Sequence, residues 1–286
     1  AGEHAAVGKA AEATGLPVWT ISLDGQGRID LDQLTATLQK ADEQGANLLV
    51  ALHWVNNETG VIQPIERINA LVGPTRHTLF IDAVQAFGKC PLEFATSAPD
   101  MMAVSGHKIG APAGIGALLV KSHADTVRLI PGGGQEQGRR GGTESAALIG
   151  AFGAAAAVHD YDAETLSGLV QHVEAGLQKL APDVVIFGQG ANRIGNVTNF
   201  AVPGVGNATA MMALDLMGLS VSSGSACSSG KVGASHVLAA MGVPRDLANC
   251  ALRVSFGWNS TMADADAFLA GFETLLSRQK RAGKAA

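Results

Sequence analysis

The sequence is poor in cysteine, in charge and in long apolar runs. Three cysteines in 286 residues are too few for a disulfide framework, so we expect a reducing, cytoplasmic location. No run of about 18 consecutive apolar residues occurs, so no membrane span is expected. Charged residues make up 16% of the chain, with a net charge of −5 and no basic stripe. This composition argues against disorder and against a nucleic-acid partner.

Two common ligand-binding patterns are absent as well. The eight histidines and three cysteines show no spacing typical of a zinc site, so we expect no metal. The glycine-rich stretch 131–143 is not a Walker A loop, because no Gly-Lys-Ser or Gly-Lys-Thr follows it. The first residues enter a helical pattern directly, without an initiator methionine, and we expect the chain to be part of a longer protein.

Apolar runs typical of buried strands alternate with helical patterns along the chain. This alternation predicts an α/β fold with a largely parallel sheet. The pattern changes near residue 160, which predicts two domains, over 1–160 and 161–286. Strands are predicted near 18–23, 48–54, 78–84, 101–105, 116–120, 184–188, 196–202, 219–223 and 251–257.

The most informative stretch is Val104-Ser105-Gly106-His107-Lys108, which follows the apolar run 101–103. A lysine at the end of a buried strand is poorly solvated, and poor solvation favours the neutral amine that attacks aldehydes. A Schiff base with pyridoxal phosphate requires such an amine. The alternative is that Lys108 is an ordinary solvated residue at a strand terminus.

A second apolar run, 79–81, ends in Asp82. A pyridoxal enzyme needs a carboxylate that keeps the pyridine nitrogen protonated, so that the ring can accept electrons. Ligands of open α/β sheets bind at the carboxyl ends of strands. We therefore expect Asp82 and Lys108 at one edge of a parallel sheet. The alternative for Asp82 is a helix N-cap or a surface turn, which its apolar flanks disfavour.

Two further patterns fit an anionic ligand. Glycines in 131–134 and 140–142 would let backbone N–H groups approach a phosphate, and Thr143 would add a hydroxyl. The alternative is a flexible surface loop. Arg253 lies in an apolar strand pattern, where it needs an anionic partner. That partner is either a substrate carboxylate or the carboxylate of a structural salt bridge.

The cysteines differ in their surroundings. Cys90 and Cys250 have apolar flanks typical of buried, inert thiols, whereas Cys227 lies in a stretch of serine, glycine and alanine. A thiol in such a small, polar loop is accessible and can act as a nucleophile.

Taken together, the motifs resemble those of the cysteine desulfurases, which are pyridoxal-phosphate enzymes of the class V aminotransferase family. The resemblance spans essentially the whole chain, and the cysteine loop is similar to that of the first group of the family, which supplies sulfur for iron–sulfur clusters. It implies fold type I, with a mostly parallel large domain and a smaller α+β C-terminal domain. The motifs are Glu3-His4, Asn56-Asn57-Glu58-Thr59-Gly60, Asp82-Ala83-Val84-Gln85, Ser105-Gly106-His107-Lys108, Arg140-Gly141-Gly142-Thr143, Ser222-Ser223-Gly224-Ser225-Ala226-Cys227 and Leu252-Arg253-Val254-Ser255.

The resemblance implies a set of residues around the cofactor, pyridoxal 5'-phosphate. Lys108 would form the Schiff base and move a proton from the substrate α-carbon. Asp82 would pair with the ring nitrogen, and Gln85 would bind the ring hydroxyl oxygen. His4 would stack on the ring and shuttle protons, and Asn57 would orient the bound substrate.

The remaining implied roles concern phosphate, substrate and sulfur. Ser105 and His107 would bind the phosphate, together with Thr143 from the other subunit of a homodimer. Arg253 would hold the carboxylate of L-cysteine. Cys227 would receive the sulfur as a persulfide and pass it to an iron–sulfur scaffold or another acceptor protein.

Two other functions stay open at this point. The chain could be a related pyridoxal enzyme, such as a selenocysteine lyase or an aminotransferase, or a non-catalytic fragment that only dimerises or docks an acceptor. Cys227 separates the first of these from a desulfurase, because only sulfur transfer from cysteine depends on that thiol.

Overall fold

The computed structural model describes residues 1–92, 94, 99–125, 128, 130–158, 161–223 and 235–285. The chain divides into two units that interleave in sequence. The first unit comprises Ala1–Asp30, Asn56–Gln63 and Tyr161–Ala286, and the second comprises Leu31–Val55 and Pro64–Asp160. The division into domains over 1–160 and 161–286 stays a prediction.

A four-stranded mixed sheet forms the centre of the second unit. Its strands are β1 (Leu49–His53), β2 (Thr78–Asp82), β3 (Met101–Ser105) and β4 (Gly116–Val120). They lie in the order β1-β2-β3-β4, with β1, β2 and β3 parallel and β4 antiparallel to β3. The parallel part confirms the predicted α/β class. In β2 and β3 every second side chain is fully buried, as expected for strands with one face against the core.

The helices Leu31–Glu43 and Ile65–Val72 of the second unit each bury an apolar face. Leu34, Leu38 and Ala41 are buried on one face of the first of these helices, at spacings of three and four residues. A tight 3₁₀ turn, Gly106–Ile109, follows β3, and a second one covers Ser122–Ala124. The α-helices are α2 (Leu31–Glu43), α3 (Ile65–Val72) and α5 (Ala146–Val158), with a single irregular turn, α4 (Gln135–Gly138), in which Glu136 and Gln137 have positive φ values.

The first unit contains a three-stranded antiparallel sheet of β5 (Val185–Ile186), β6 (Val197–Ala201) and β7 (Ala251–Ser255), in that order. Its core contains three mutually contacting phenylalanines: the ring of Phe200 makes edge contacts with Phe268 and Phe272, and those two rings stack. The helices are α1 (Ala5–Ala13), α6 (Ala163–Leu180), α7 (Asn207–Asp215), α8 (His236–Ala240), α9 (Arg245–Ala248) and α10 (Met262–Ala285).

Two predicted strands are wrong. In 18–23 only Leu23 makes a β-bridge, to Ile29, and in 219–223 only Ser222 does so, to Arg253. Both stretches carry the right residues, but a strand also needs a continuous neighbouring backbone to accept and donate its hydrogen bonds. An isolated bridge supplies that at one position only.

Candidate active site

Asp82 and Lys108 come from neighbouring parallel strands of the second unit. Asp82 is the last residue of β2, and Lys108 lies in the 3₁₀ turn that begins directly after β3. Because β2 and β3 are parallel, both residues lie at the carboxyl edge of the sheet, as the sequence predicted. Both are half-buried. One carboxylate oxygen of Asp82 accepts a hydrogen bond from the backbone N–H of Val84 at 3.0 Å, which fixes the direction of the side chain.

Ser105 and His107 are joined by a hydrogen bond at the same edge. The Ser105 hydroxyl lies 2.8 Å from Nδ1 of His107. Between them, Gly106 is packed so closely that a Cβ would lie 2.8 Å from Cγ2 of Ile115 and 3.1 Å from Cβ of Ala111. A methyl group there would force these neighbouring side chains to shift, so glycine allows the close packing between the two polar residues.

Gln85 lies in the turns that follow β2. Its side-chain oxygen accepts a hydrogen bond from Nζ of Lys89 at 2.8 Å. His53, which the sequence analysis did not single out, ends β1, is buried and lies in register with Asp82. Its position at the end of an apolar run is the sequence feature that could have indicated a residue at this edge of the sheet.

The glycine-rich segment forms a loop pinched at its base. Ile130 and Arg140 make a β-bridge, and the N–H of Gly141 donates to the carbonyl of Ile130 at 2.8 Å. A Cβ on Gly132 would lie 2.7 Å from the Cα of Gly141, so the two glycines let the backbones touch. Thr143 is exposed on the segment that leads into α5.

In the first unit, residues 56–60 form a tight turn organised by Asn56. Its side-chain oxygen accepts hydrogen bonds from the backbone N–H groups of Glu58 at 2.9 Å and Thr59 at 3.0 Å. Gly60 has a φ of 74°, and a Cβ there would lie 2.5 Å from Cγ1 of Val197. Hydrogen bonds of the Asn56 side chain therefore stabilise the turn, and the next residue, Asn57, is half-buried within it.

Arg253 lies on β7, opposite Asn199 of β6. Its Nη1 donates to the carbonyl of Asn57 at 2.8 Å, so the structure brings these two predicted substrate-binding residues together. The Nε of Arg253 is buried without a hydrogen-bond partner among the described residues. A buried guanidinium N–H without an acceptor is what an anionic ligand would satisfy.

His4 caps the N-terminus of α1. Its Nδ1 accepts a hydrogen bond from the backbone N–H of Ala6 at 3.2 Å, and the ring is half-buried. This contact fixes the ring next to the helix terminus. The structure assigns His4 to the first unit, with Asn57 and Arg253, and assigns the predicted cofactor residues Asp82, Gln85, Ser105, His107, Lys108 and Thr143 to the second.

Cys227 lies outside the described residues. Cys250 is buried, and its thiol donates to the carbonyl of Asp246. Burial raises the pKa of the Cys90 thiol above its ordinary value, with Lys89 opposing that shift more weakly. The burial of Cys250 and the raised pKa of the half-buried Cys90 fit the inert thiols that their apolar flanks predict.

Neither a metal-ligand cluster nor a membrane-spanning helix occurs in the part of the chain that the structure describes. No group of three or more His, Cys, Asp or Glu side chains comes together there as a metal-ligand set. No helix within those residues has the length and apolar character needed to cross a membrane.

The donor set at the sheet edge fits the cofactor that the resemblance implies. Lys108 offers an amine for the aldehyde, and Asp82 offers a carboxylate for the ring nitrogen. Ser105 and His107 offer a hydroxyl and an imidazole for a phosphate. All four come from the ends of two adjacent parallel strands, where α/β sheets bind ligands.

Comparison with known proteins identifies the family. The sequence matches the family described as Aminotransferase class-V over residues 1–268. It is 39% identical over 273 residues to cysteine desulfurase 2 of Trichormus variabilis, a match covering 93% of this chain and 67% of that protein. It is 39% identical to the cysteine desulfurase of Trichormus azollae over 92% of this chain and 66% of that protein. The chain thus spans about two thirds of the length of these relatives.

Among solved structures, the NifS-like protein of Rickettsia africae superposes with a TM-score of 0.81 at 31% identity, covering 90% of this chain and 69% of that one. These similarities extend over nearly all of the sequence. The chain therefore belongs to the class-V aminotransferase family and, within it, to the cysteine desulfurases.

Proposed function

We propose that this chain converts L-cysteine to L-alanine and transfers the sulfur, as a persulfide on Cys227, to an acceptor protein for iron–sulfur cluster assembly. The observation that carries the proposal is the set of Asp82, Ser105, His107 and Lys108 at the carboxyl edge of β2 and β3. The relatives of the chain that are named cysteine desulfurases support this assignment of the reaction.

The residues of the second unit would bind the cofactor. Bound pyridoxal phosphate would supply an electron sink that weakens the bonds around the α-carbon of the amino acid. The Lys108 amine takes up the proton from that carbon and returns it. Asp82, held by the N–H of Val84, would accept a hydrogen bond from the ring N–H, and Gln85 would bind the ring hydroxyl oxygen.

The polar pair at this edge would bind the phosphate. Ser105 and His107, already hydrogen-bonded to each other, would donate to the phosphate oxygens. Thr143 adds a hydroxyl from the second subunit of a homodimer, which its exposure allows.

The residues of the first unit hold the substrate. Arg253 uses Nη1 to bind the carbonyl of Asn57 and keeps its other donors for the substrate carboxylate. Asn57 orients the amino acid through its side-chain amide. His4, fixed at the start of α1, would take the role that the resemblance implies, contact with the cofactor ring and proton relay.

Sulfur transfer follows. The Cys227 thiolate attacks the sulfur of L-cysteine, so that an S–S bond forms while the Cβ–S bond breaks. The electron pair of the broken bond stays with the carbon, which takes up a proton and leaves as L-alanine. One cysteine and one thiol thus give one alanine and one persulfide without an external oxidant. An acceptor thiol then takes the outer sulfur. We place this activity in the cytoplasm, where thiols stay reduced.

The test is alanine formation from L-cysteine by the wild type, Cys227→Ala and Lys108→Ala, with Cys90→Ala as a matched control. We expect alanine and a persulfide from the wild type and Cys90→Ala and from neither other variant. Added pyridoxal phosphate should give a yellow band only when Lys108 is present. Alanine from Cys227→Ala would contradict the mechanism and favour a lyase or an aminotransferase. A folded wild type without the yellow band would favour a non-catalytic fragment.

A further inference from the structure

Glu58 has a buried carboxylate to which the proposed reaction assigns no role. The residue is 2% exposed, although it belongs to the same turn as Asn57. The Ser235 hydroxyl donates to its Oε2 at 2.5 Å, from 177 residues away in sequence. Ser235 is buried as well, at 3% exposure. A carboxylate is removed from water only where the fold supplies such a partner.

Ser235 connects Glu58 to the start of α8. Its hydroxyl oxygen accepts a hydrogen bond from the N–H of Leu238 at 3.0 Å and so caps this helix. The first residue of α8, His236, lies with its Nε2 2.7 Å from the carbonyl of Glu3, the neighbour of His4. The carboxylate is therefore linked through α8 to the segment that carries His4.

The other side of the Glu58 turn leads to Arg253. The carbonyl of Asn57 accepts from the Arg253 guanidinium, and the carbonyl of Glu58 accepts from Nδ2 of Asn199 at 3.3 Å. Burial raises the pKa of Glu58 above its ordinary value, while Ser235, His236 and Arg253 all act in the opposite direction. The turn thus has its carboxylate bonded to Ser235, and its main-chain carbonyls bonded to side chains of β6 and β7.

We propose that Glu58 is a positioning residue, which acts through Ser235 and through Asn57 to hold His4 and Arg253 in one rigid polar cluster of the first unit. This inference rests on the proposed function, because it takes its meaning from substrate binding by Arg253 and Asn57. Loosening the cluster would weaken carboxylate recognition more than it slows turnover.

The experiment compares Ser235→Ala with Ser235→Thr in the enzyme loaded with pyridoxal phosphate. Asp162→Ala is the matched control, because Asp162 also caps a helix of the first unit, α6, and is exposed. Glu58→Gln tests the charge while keeping an acceptor for Ser235. The readouts are the Kd of L-alanine by calorimetry and KM and kcat for L-cysteine.

We expect Ser235→Ala to raise the Kd and KM about tenfold, the order of one hydrogen bond to a charged group, with a smaller change in kcat. Asp162→Ala should leave both close to wild type. Ser235→Thr keeps the hydroxyl and should have the Kd and KM of the wild type. Glu58→Gln should have values between those of the wild type and Ser235→Ala.

Equal changes of Kd and KM in Ser235→Ala and Asp162→Ala would overturn the inference. So would a Kd and KM in Ser235→Thr as high as those in Ser235→Ala. Should Ser235→Ala not fold, the comparison of Glu58→Gln with Ser235→Thr decides, and wild-type affinity in Glu58→Gln would overturn it. A wild type that binds L-alanine but makes none from L-cysteine would refute the proposed function alone, since the alanine affinities still report on Glu58.

Discussion

Arg253 and Asn57 are separated by 196 residues, yet Nη1 of the arginine donates to the asparagine carbonyl at 2.8 Å. This contact fixes one edge of the guanidinium on the turn, while its buried Nε has no partner in the described structure. An arginine anchored at one edge presents its remaining donors in a fixed direction. That arrangement suits two-bonded recognition of a carboxylate, which a lysine cannot reproduce.

The first prediction concerns Arg253→Lys. The ammonium keeps the charge but loses the planar set of donors, so we expect KM for L-cysteine to rise about 10- to 100-fold, the range for a lost charged hydrogen bond. Steady-state kinetics measure this. Arg128→Lys, at a half-exposed arginine that pairs with Asp125, is the control and should behave as wild type. An unchanged KM in Arg253→Lys would show that the substrate carboxylate binds elsewhere.

The second prediction concerns the pH dependence of stability at Glu58. Burial raises its pKa in the folded protein, so the folded state holds the proton more tightly than the unfolded state. Stability is therefore greatest below the pKa of the unfolded group, about 4.3, and declines as the pH rises through the higher pKa of the folded protein. The stability of Glu58→Gln should not show this decline, because glutamine does not ionise.

Thermal melts across this pH range measure the effect. The melting temperature of Glu58→Gln relative to wild type should increase with pH and level off once Glu58 is ionised. The exposed Glu66→Gln serves as the control and should show no such trend. A constant difference between Glu58→Gln and wild type would contradict burial of an ionisable carboxylate.

The third prediction concerns a buried ion pair in the first unit. Arg193 donates to both carboxylate oxygens of Glu174, at 2.8 and 3.1 Å, and the hydroxyl of Thr198 adds a third bond. Arg193→Met leaves this carboxylate buried without its cation, so we expect a loss of about 3–5 kcal/mol in the free energy of unfolding. Urea denaturation measures it.

The matched control for that pair is Arg28→Met. Arg28 and Asp24 also form an ion pair at 2.8 Å, but their side chains are 49% and 41% exposed. Solvent screens this pair, and we expect a loss of only about 0–1 kcal/mol. Equal losses in the two variants would show that burial does not set the strength of these pairs.

The fourth prediction concerns Gly106→Ala. The added methyl group would contact Ile115, Ala111 and Phe152, so we expect a loss of about 1–3 kcal/mol and weaker phosphate binding, because Ser105 and His107 flank the strained residue. Urea denaturation and titration with pyridoxal phosphate measure both. Gly150→Ala in α5, where a Cβ meets nothing within 4 Å, should instead stabilise by about 0.5–1 kcal/mol. Equal stability of the two variants would contradict the packing at Gly106.

Strands in the middle of the sheet were predictable because they carry their own signal. The apolar runs ending at Asp82 and Ser105 predicted β2 and β3 to within two residues. The two wrong strands do contain apolar residues, but they have no neighbouring strand. Val18 remains 56% exposed, and Ser222 pairs only with Arg253. A local apolar pattern indicates that a segment can form a strand. It does not indicate whether another strand lies beside that segment.

The polar cluster around Glu58 was not predictable for a related reason. Nothing near Glu58 in sequence indicates that its carboxylate turns inward, since its partner Ser235 lies far along the chain. The motif of residues 56–60 drew attention to Asn57, whereas Asn56 and Glu58 do most of the hydrogen bonding. Long-range pairs between polar side chains have no sequence period to reveal them.

The interleaved first unit also constrains the order of events during synthesis. At about 5–20 residues per second, Asn57 is made roughly 10–40 s before Arg253 reaches it. During that interval the turn at 56–60 has neither Ser235 nor Arg253 to bind. The second unit, complete by residue 160, can assemble meanwhile. Until Ser235 and Arg253 have been made, the carboxylate of Glu58 and the carbonyl of Asn57 therefore have only water as a partner in place of these two residues.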